Sequence, residues 1–141
     1  MPLFRGALVR LANARSVTSD NRRVLPLAIL FLIAGAAHFT MPEWFDRIMP
    51  AWVPNARLAT LVSGAAELLG AIGLLMSVTR VAAGWGLILL LIAVFPANVH
   101  MLQLAQGTPV SAWYLAALWI RLPLQPLLIW WVWRAAVRAK T

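Results

Sequence analysis

Seven residues of this chain could bind a polar group or move a proton from within otherwise apolar stretches: His38, Ser63, Glu67, Asn98, His100, Arg121 and Gln125. A carboxylate and a guanidinium can pair or grip opposite ends of a ligand. Amides can donate to a carbonyl, and an imidazole can exchange protons near neutral pH. Hydrocarbon penalises groups such as Glu67, Asn98 and Arg121 by roughly 2.5–3.5 kcal/mol each on insertion scales. A chain that keeps them either locks helices together with them or handles a molecule in the membrane. Both uses stay open at this level.

Other chemistries fare less well. His38 and His100, on different helices at similar depth, are the minimum for bis-histidine haem, and Glu67 would complete a facial triad. Asn98 and His100, however, point about 200° apart around a helix, so they cannot both face a core squarely. The i,i+4 histidine pairs and Glu-x-x-His repeats of carboxylate metal sites are also missing. Haem is therefore disfavoured and no metal site is assigned. The chain has no cysteine, which removes disulfide exchange, thiolate catalysis and iron–sulfur clusters.

The elements that position these residues follow from composition. Hydrophobic residues make up 62% of the 141 and charged residues 11%, far from the balance of a soluble domain. Four apolar runs cover 24–39, 58–78, 81–102 and 113–133. Each is near the roughly 20 residues that cross about 30 Å of hydrocarbon. The expected fold is an all-α membrane protein, a four-transmembrane-helix bundle with a short interfacial helix between helices 1 and 2. Residues 1–23 form a basic N-terminal segment, 24–133 the membrane domain and 134–141 a basic tail. No repeat relates the two halves.

The net charge of +8 is placed around the spans. Arg5, Arg10, Arg15, Arg22 and Arg23 precede the first run, Arg80 lies in the second connection, and Arg134, Arg138 and Lys140 follow the last run. That pattern points to the lipid bilayer as the partner, not nucleic acid, and to both termini on the cytoplasmic side. The acid-free, Arg-rich start also fits a transit peptide, and Ala34-Gly35-Ala36 mimics a signal-peptidase site. The length of the basic region favours a retained segment instead, with an interfacial helix through Leu3, Phe4, Ala7, Leu8 and Leu11 that stops before Arg15.

Between the first two spans, Thr40-Met41-Pro42-Glu43 has capping-box spacing with a proline in the first turn. Trp44, Phe45, Ile48, Met49 and Trp52 follow at helical spacing until Pro50 and Pro54 end the helix. Such a helix reads as an aromatic interfacial anchor or as a lid.

Counted from the span ends on that same side, Glu67 lies roughly 14 Å deep, Arg121 roughly 12 Å and Gln125 roughly 18 Å. Ser63 and Gly70 share the face of Glu67. His38 ends the first span, and Asn98 and His100 occupy the corresponding part of the third. All four spans thus bring polar groups to one half of the bundle. Pro96, Pro123 and Pro126 free the carbonyls of Ile92, Trp119 and Leu122, which membranes tolerate where other groups satisfy them. A Glu67–Arg121 pair bonded by Asn98 and Gln125 would alternatively serve only helix register. Ala66, Gly70 and Gly73 offer small surfaces for close helix approach.

Several of these pieces, in this order, resemble the DoxX-like membrane proteins. They are Gly35-x-x-His38-Phe39, Pro42, Met49-Pro50, Val53-Pro54, Ser63-Gly64-x-x-Glu67, Phe95-Pro96-Ala97-Asn98 and Arg121-Leu122-Pro123-Leu124-Gln125. The likeness covers about 24–133. It implies a four-helix protein of the bacterial inner membrane, with relatives that serve as quinone-linked subunits or associate with membrane redox enzymes. Relatives that assist disulfide formation use cysteines, so that role does not transfer. The expected function is a polar pocket for a quinone or other amphipathic molecule, lined by His38, Glu67, Asn98, Arg121 and Gln125, with Ser63 and His100 as secondary candidates. A scaffold for a redox enzyme and a small-solute or proton transporter are the alternatives. A homo-oligomer is compatible with each.

Overall fold

The computed structural model describes the backbone of residues 2–138 and the side chains of residues 21–138. The chain is an all-α membrane protein with no strand among the described residues. Its helices are α1 (Pro2–Thr40), α2 (Pro42–Arg47), α3 (Ala56–Leu75), α4 (Arg80–Gln106) and α5 (Ala112–Val132), the last running into a π-helical turn, Trp133–Val137. Among the described residues four segments are long and apolar enough to cross a membrane: Asn21–Thr40, Ala56–Leu75, Arg80–Gln106 and Ala112–Val137.

Where helices end differs from the apolar pattern, for local reasons. The break expected before Arg15 is absent, because α1 is continuous from Pro2; the apolar side chains expected there, Leu3 to Leu11, lie outside the described residues. The third span runs to Gln106, past the last apolar residue, until Gly107 closes it by donating to the Gln103 and Leu104 carbonyls. The capping box at Thr40 does not form. Its hydroxyl turns back to the Ala36 carbonyl at 3.2 Å, and Met41 takes the cap position with no side-chain bond. Pro42 still starts α2, where a missing N–H is harmless. The helix is shorter than its aromatic spacing implied, and the chain turns from Ile48 towards Asn55, whose side chain caps α3 by accepting from Leu58 N–H at 2.9 Å.

The connection from α3 to α4 is closed by side chains. Thr79 donates to the Gly73 carbonyl at 3.0 Å, and Arg80 Nε to the Leu74 carbonyl at 2.8 Å. Two carbonyls orphaned by the end of α3 are satisfied in this way. Arg80, read from sequence as a connection cation, is only 4% exposed and also donates to the Asn21 side chain.

Packing is sequential: α1 lies on α3, α3 on α4 and α4 on α5. With lipid outside, close van der Waals fit and not water exclusion holds such helices together. Glycines permit that fit. A Cβ on Gly70 would meet Leu87 at 2.5 Å and one on Gly73 would meet Ala83 at 2.7 Å. At the end remote from α2, the π-helical turn folds back onto α4 and α1, and Gly84 receives Ala136. The main core lies there, around Val24, Leu27, Leu74, Leu87, Val132 and Ala136. A second cluster, Leu102, Ala105 and Leu118, joins α4 to α5 near the α2 end. Between the clusters the backbone of α5 stands away from those of α1 and α3 among the described residues. The bundle is closed at one end and parted at the other.

Candidate functional site

That parting is a cavity of about 550 Å³, within the usual range of small-molecule pockets. Each helix presents one face to it at helical spacing: Leu30, Ala34 and His38 from α1; Ala59, Ser63 and Glu67 from α3; Val94 and Asn98 from α4; Arg121, Gln125 and Leu128 from α5. Phe45 of α2 and Ile48 to Val53 of the following turn close the end. Phe31 and Leu91 belong both to the cavity wall and to the main core, and form its floor.

The first polar group is a His38–Glu67 pair. Its origin is a crossing of α1 and α3 at two glycines. A Cβ on Gly64 would meet His38 Cβ at 2.5 Å, and a Cβ on Gly35 would meet the Gly64 carbonyl at 3.0 Å. One turn beyond each glycine stand His38 and Glu67, with Nε2 and Oε2 3.6 Å apart. Both side chains are buried. Phe45 stacks on the imidazole with ring centroids 3.7 Å apart and planes inclined by 22°. The separation is within ion-pair reach but beyond a hydrogen bond, and Glu67 Oε2 is buried without a hydrogen-bond partner. An orphaned buried atom of this kind costs about 1–3 kcal/mol unless something else satisfies it.

The second group is satisfied internally. Asn98 Nδ2 donates to Gln125 Oε1 at 2.5 Å, and Gln125 Nε2 donates to the Leu91 carbonyl. Leu91 precedes Ile92, whose carbonyl loses its helical donor to Pro96. The amide from α5 therefore supplements α4 where its own ladder is interrupted. α5 itself stays continuous through Pro123 and Pro126.

The third is Arg121. It is exposed and lines the cavity, and its nearest polar contact is Met101 Sδ at 3.9 Å from Nη1. The direct Glu67–Arg121 pair expected from sequence is absent, since no carboxylate of the described residues lies within 4 Å of Arg121. The two groups line the same cavity instead. His38 takes the place beside Glu67 because α1 crosses α3 closely, whereas α5 stands apart from both.

His38, Ser63, Glu67, Asn98, Arg121 and Gln125 thus share one cavity. His100 does not line it. Its Nδ1 donates to the Ile48 carbonyl at 2.9 Å, holding the turn after α2 against α4. The divergence of Asn98 and His100 around α4 is what sequence spacing required. The sequence pattern does not reveal the cluster that ties α2 to α3 beside the cavity. Asp46 accepts from the fully buried Thr60 hydroxyl at 2.6 Å and pairs with Arg57 Nε at 3.0 Å. An acid on a short surface helix carries no pattern that would have placed it there.

Among the described residues no three His, Asp or Glu side chains are near enough to hold a metal ion. The arrangement can instead receive one organic molecule with both a donor and an acceptor. A hydroxyl of such a molecule can donate to the Glu67 carboxylate, and a carbonyl or anionic oxygen can accept from Arg121. The rest of the wall is largely aliphatic and aromatic.

Residues 27–136 match the family described as "Domain of unknown function (DUF8561)", and the chain belongs to that family. No curated protein and no solved structure matches the chain.

Proposed function

We propose that this member of the DUF8561 family binds a quinone or a similar amphipathic molecule in the cavity between α1, α3, α4 and α5, in support of redox chemistry in the membrane. The observation that carries the reading is the presence of unfilled hydrogen-bonding capacity on both sides of one apolar cavity. The Glu67 carboxylate lines the cavity and accepts no hydrogen bond from the described residues, and Arg121 lacks an oxygen acceptor within ion-pair reach among them. A quinone presents ring carbonyls that suit Arg121; its reduced form presents hydroxyls that suit Glu67. The flat ring suits a wall built from Phe31, Phe45 and Trp52. When bound, the quinone would supply the electron-carrying chemistry. The chain would orient it through Arg121, keep water out with its apolar wall, and hold a proton at Glu67 Oε2 or pass it to His38 Nε2 3.6 Å away.

The resemblance to DoxX-like proteins supports the same class of ligand. It also supports placement in a bacterial inner membrane, with both termini cytoplasmic and α2 on the outer side as the arginine distribution indicates. The test is direct. Protein purified gently and extracted with organic solvent should yield quinone by mass spectrometry, and adding a short-chain quinone should raise its melting temperature. Protein that releases none and does not shift is not a quinone binder.

One observation favours a second reading, an assembly partner for a redox enzyme. The face of α5 away from the cavity is broad, apolar and aromatic, with Trp119, Ile120, Leu127, Trp130 and Trp131 exposed. Under that reading, alanine at Glu67 or Arg121 lowers abundance with no separable activity defect.

A further inference from the structure

The cavity has two possible entrances, and they are closed to different degrees. The one at the membrane surface lies beneath α2, which is tied down at several points. Asp46 is bonded to Thr60 and to Arg57 of α3, and the Ile48 carbonyl accepts from His100 of α4. Phe45 then stacks directly on His38. No polar bond of the described residues bridges α1 and α5, whose backbones stay apart beside the cavity and share side-chain packing only in the core around Val132. Leu30 of α1 and Leu124 of α5 line the cavity and are also 43% and 51% exposed. They are at once wall and outer surface. Leu30 stands roughly 12 Å along α1 from His38, at 1.5 Å per residue, and therefore well inside the hydrocarbon. Arg121, also exposed, stands one turn from Leu124 on the same helix.

We infer that the ligand enters sideways from the bilayer between α1 and α5, and that its tail stays in the window bounded by Leu30 and Leu124 while its head lies between Arg121 and Glu67. The inference rests on the pocket reading above and narrows it. The ligand is a membrane-dissolved amphipath with an apolar tail, not a small solute arriving from water. Three features of the window fit that occupant. Its lips are aliphatic, so a tail leaves no polar group unsatisfied there. Its depth matches the bilayer region where such tails reside. Its one strong cation faces a position where hydrocarbon alone would be costly, and where a polar head drawn inward would be held. The latched α2 leaves the lateral route as the one that opens without breaking polar bonds.

The probe is a benzoquinone with a ten-carbon tail bearing a diazirine near its end, added to the full chain in lipid nanodiscs, photolysed and mapped by peptide mass spectrometry. The expected result is saturable labelling at Leu30, Leu124 or Leu128, competed by unlabelled quinone. Tryptophan at both Leu30 and Leu124 should abolish that labelling, whereas Leu89→Trp, on the lipid-facing surface away from the cavity, should leave it intact. Melting temperatures of all variants, without probe, identify any that fails to fold. Saturable labelling at Phe45, Trp52 or Val53 instead would overturn the lateral route while preserving the pocket. Protection of Leu30 and Leu124 in a protein that behaves as a dimer would overturn it and assign that face to a second copy. Labelling that cannot be competed anywhere on the wall would overturn both readings.

Discussion

His38 and Glu67 meet because two helices cross at glycines one turn away from each of them. Gly35-x-x-His38 and Gly64-x-x-Glu67 are the same device on antiparallel helices, and the 3.6 Å separation of Nε2 and Oε2 depends on both glycines. Position, more than residue type, makes the pair.

Gly64→Ala should therefore be damaging out of proportion to one methyl group. Its Cβ would lie 2.5 Å from His38 Cβ, and the contact is with a rigid part of the side chain. Forced overpacking costs about 1–3 kcal/mol, and the displaced His38 should also lose its position beside Glu67. Gly86→Ala is the control, because a Cβ there meets nothing within 4 Å. Thermal melting in detergent should separate the two. Equal melting temperatures would mean that α1 and α3 can part freely.

The Asn98–Gln125–Leu91 chain predicts an asymmetry between single and double substitutions. Gln125→Leu strands the Asn98 amide and leaves the Leu91 carbonyl without its cross-helix donor. Leaving a buried polar group unpaired costs about 1–3 kcal/mol. Asn98→Leu added to Gln125→Leu removes one of the stranded groups and should recover part of that loss. Denaturation in mixed micelles measures both. Strict additivity would mean the amides do not interact.

Asp46 offers a test of how firmly α2 is held. Asp46→Ala removes the acceptor of the fully buried Thr60 hydroxyl and the partner of Arg57. The Arg57 contact is half-exposed and counts for little; the Thr60 bond is the one that matters. Backbone amides of 42–53 should exchange hydrogen faster in the variant, while those in the core around Leu74 and Leu87 keep their protection. Uniformly faster exchange would show instead that Asp46 supports the whole bundle.

The spans were legible because membranes constrain them so tightly. Every backbone group must be satisfied within the helix, so about twenty apolar residues can hardly be anything else. Depth counting then placed Glu67, Asn98, Arg121 and Gln125 at compatible levels, and all of them line one cavity. What depth cannot give is azimuth between helices. Attraction of opposite charges made Glu67–Arg121 the natural pair, yet α5 stands away from α3 while α1 presses against it, and a histidine took the place beside the carboxylate. The signal was present in the two Gly-x-x-polar spacings, read only as fragments of a family pattern. Arg80 departs from its compositional pattern for a related reason. Composition marks it as a connection cation, but the carbonyls left open at the end of α3 draw it inward to Leu74.

Glu67 and Arg121 separate a binding site from a structural lock. Were they a lock, neutralising either would cost stability, because each would leave a partner behind. Here the nearest group to the carboxylate is a histidine beyond hydrogen-bond range, and Arg121 is held by little more than a thioether. Glu67→Gln and Arg121→Gln should therefore melt within about 1 kcal/mol of the parent, as substitutions that break no close pair usually do. Both should nonetheless weaken binding of a short-chain quinone, each by roughly the 1.5–3 kcal/mol of one charge-assisted hydrogen bond, or about ten- to a hundredfold. Because the groups hold different ends of one ligand, the double variant should bind no better than the weaker single variant. Titration followed by tryptophan fluorescence reads the binding, with Trp52 in the cavity wall as the reporter. Unchanged affinity with a large fall in melting temperature would return both residues to a purely structural role.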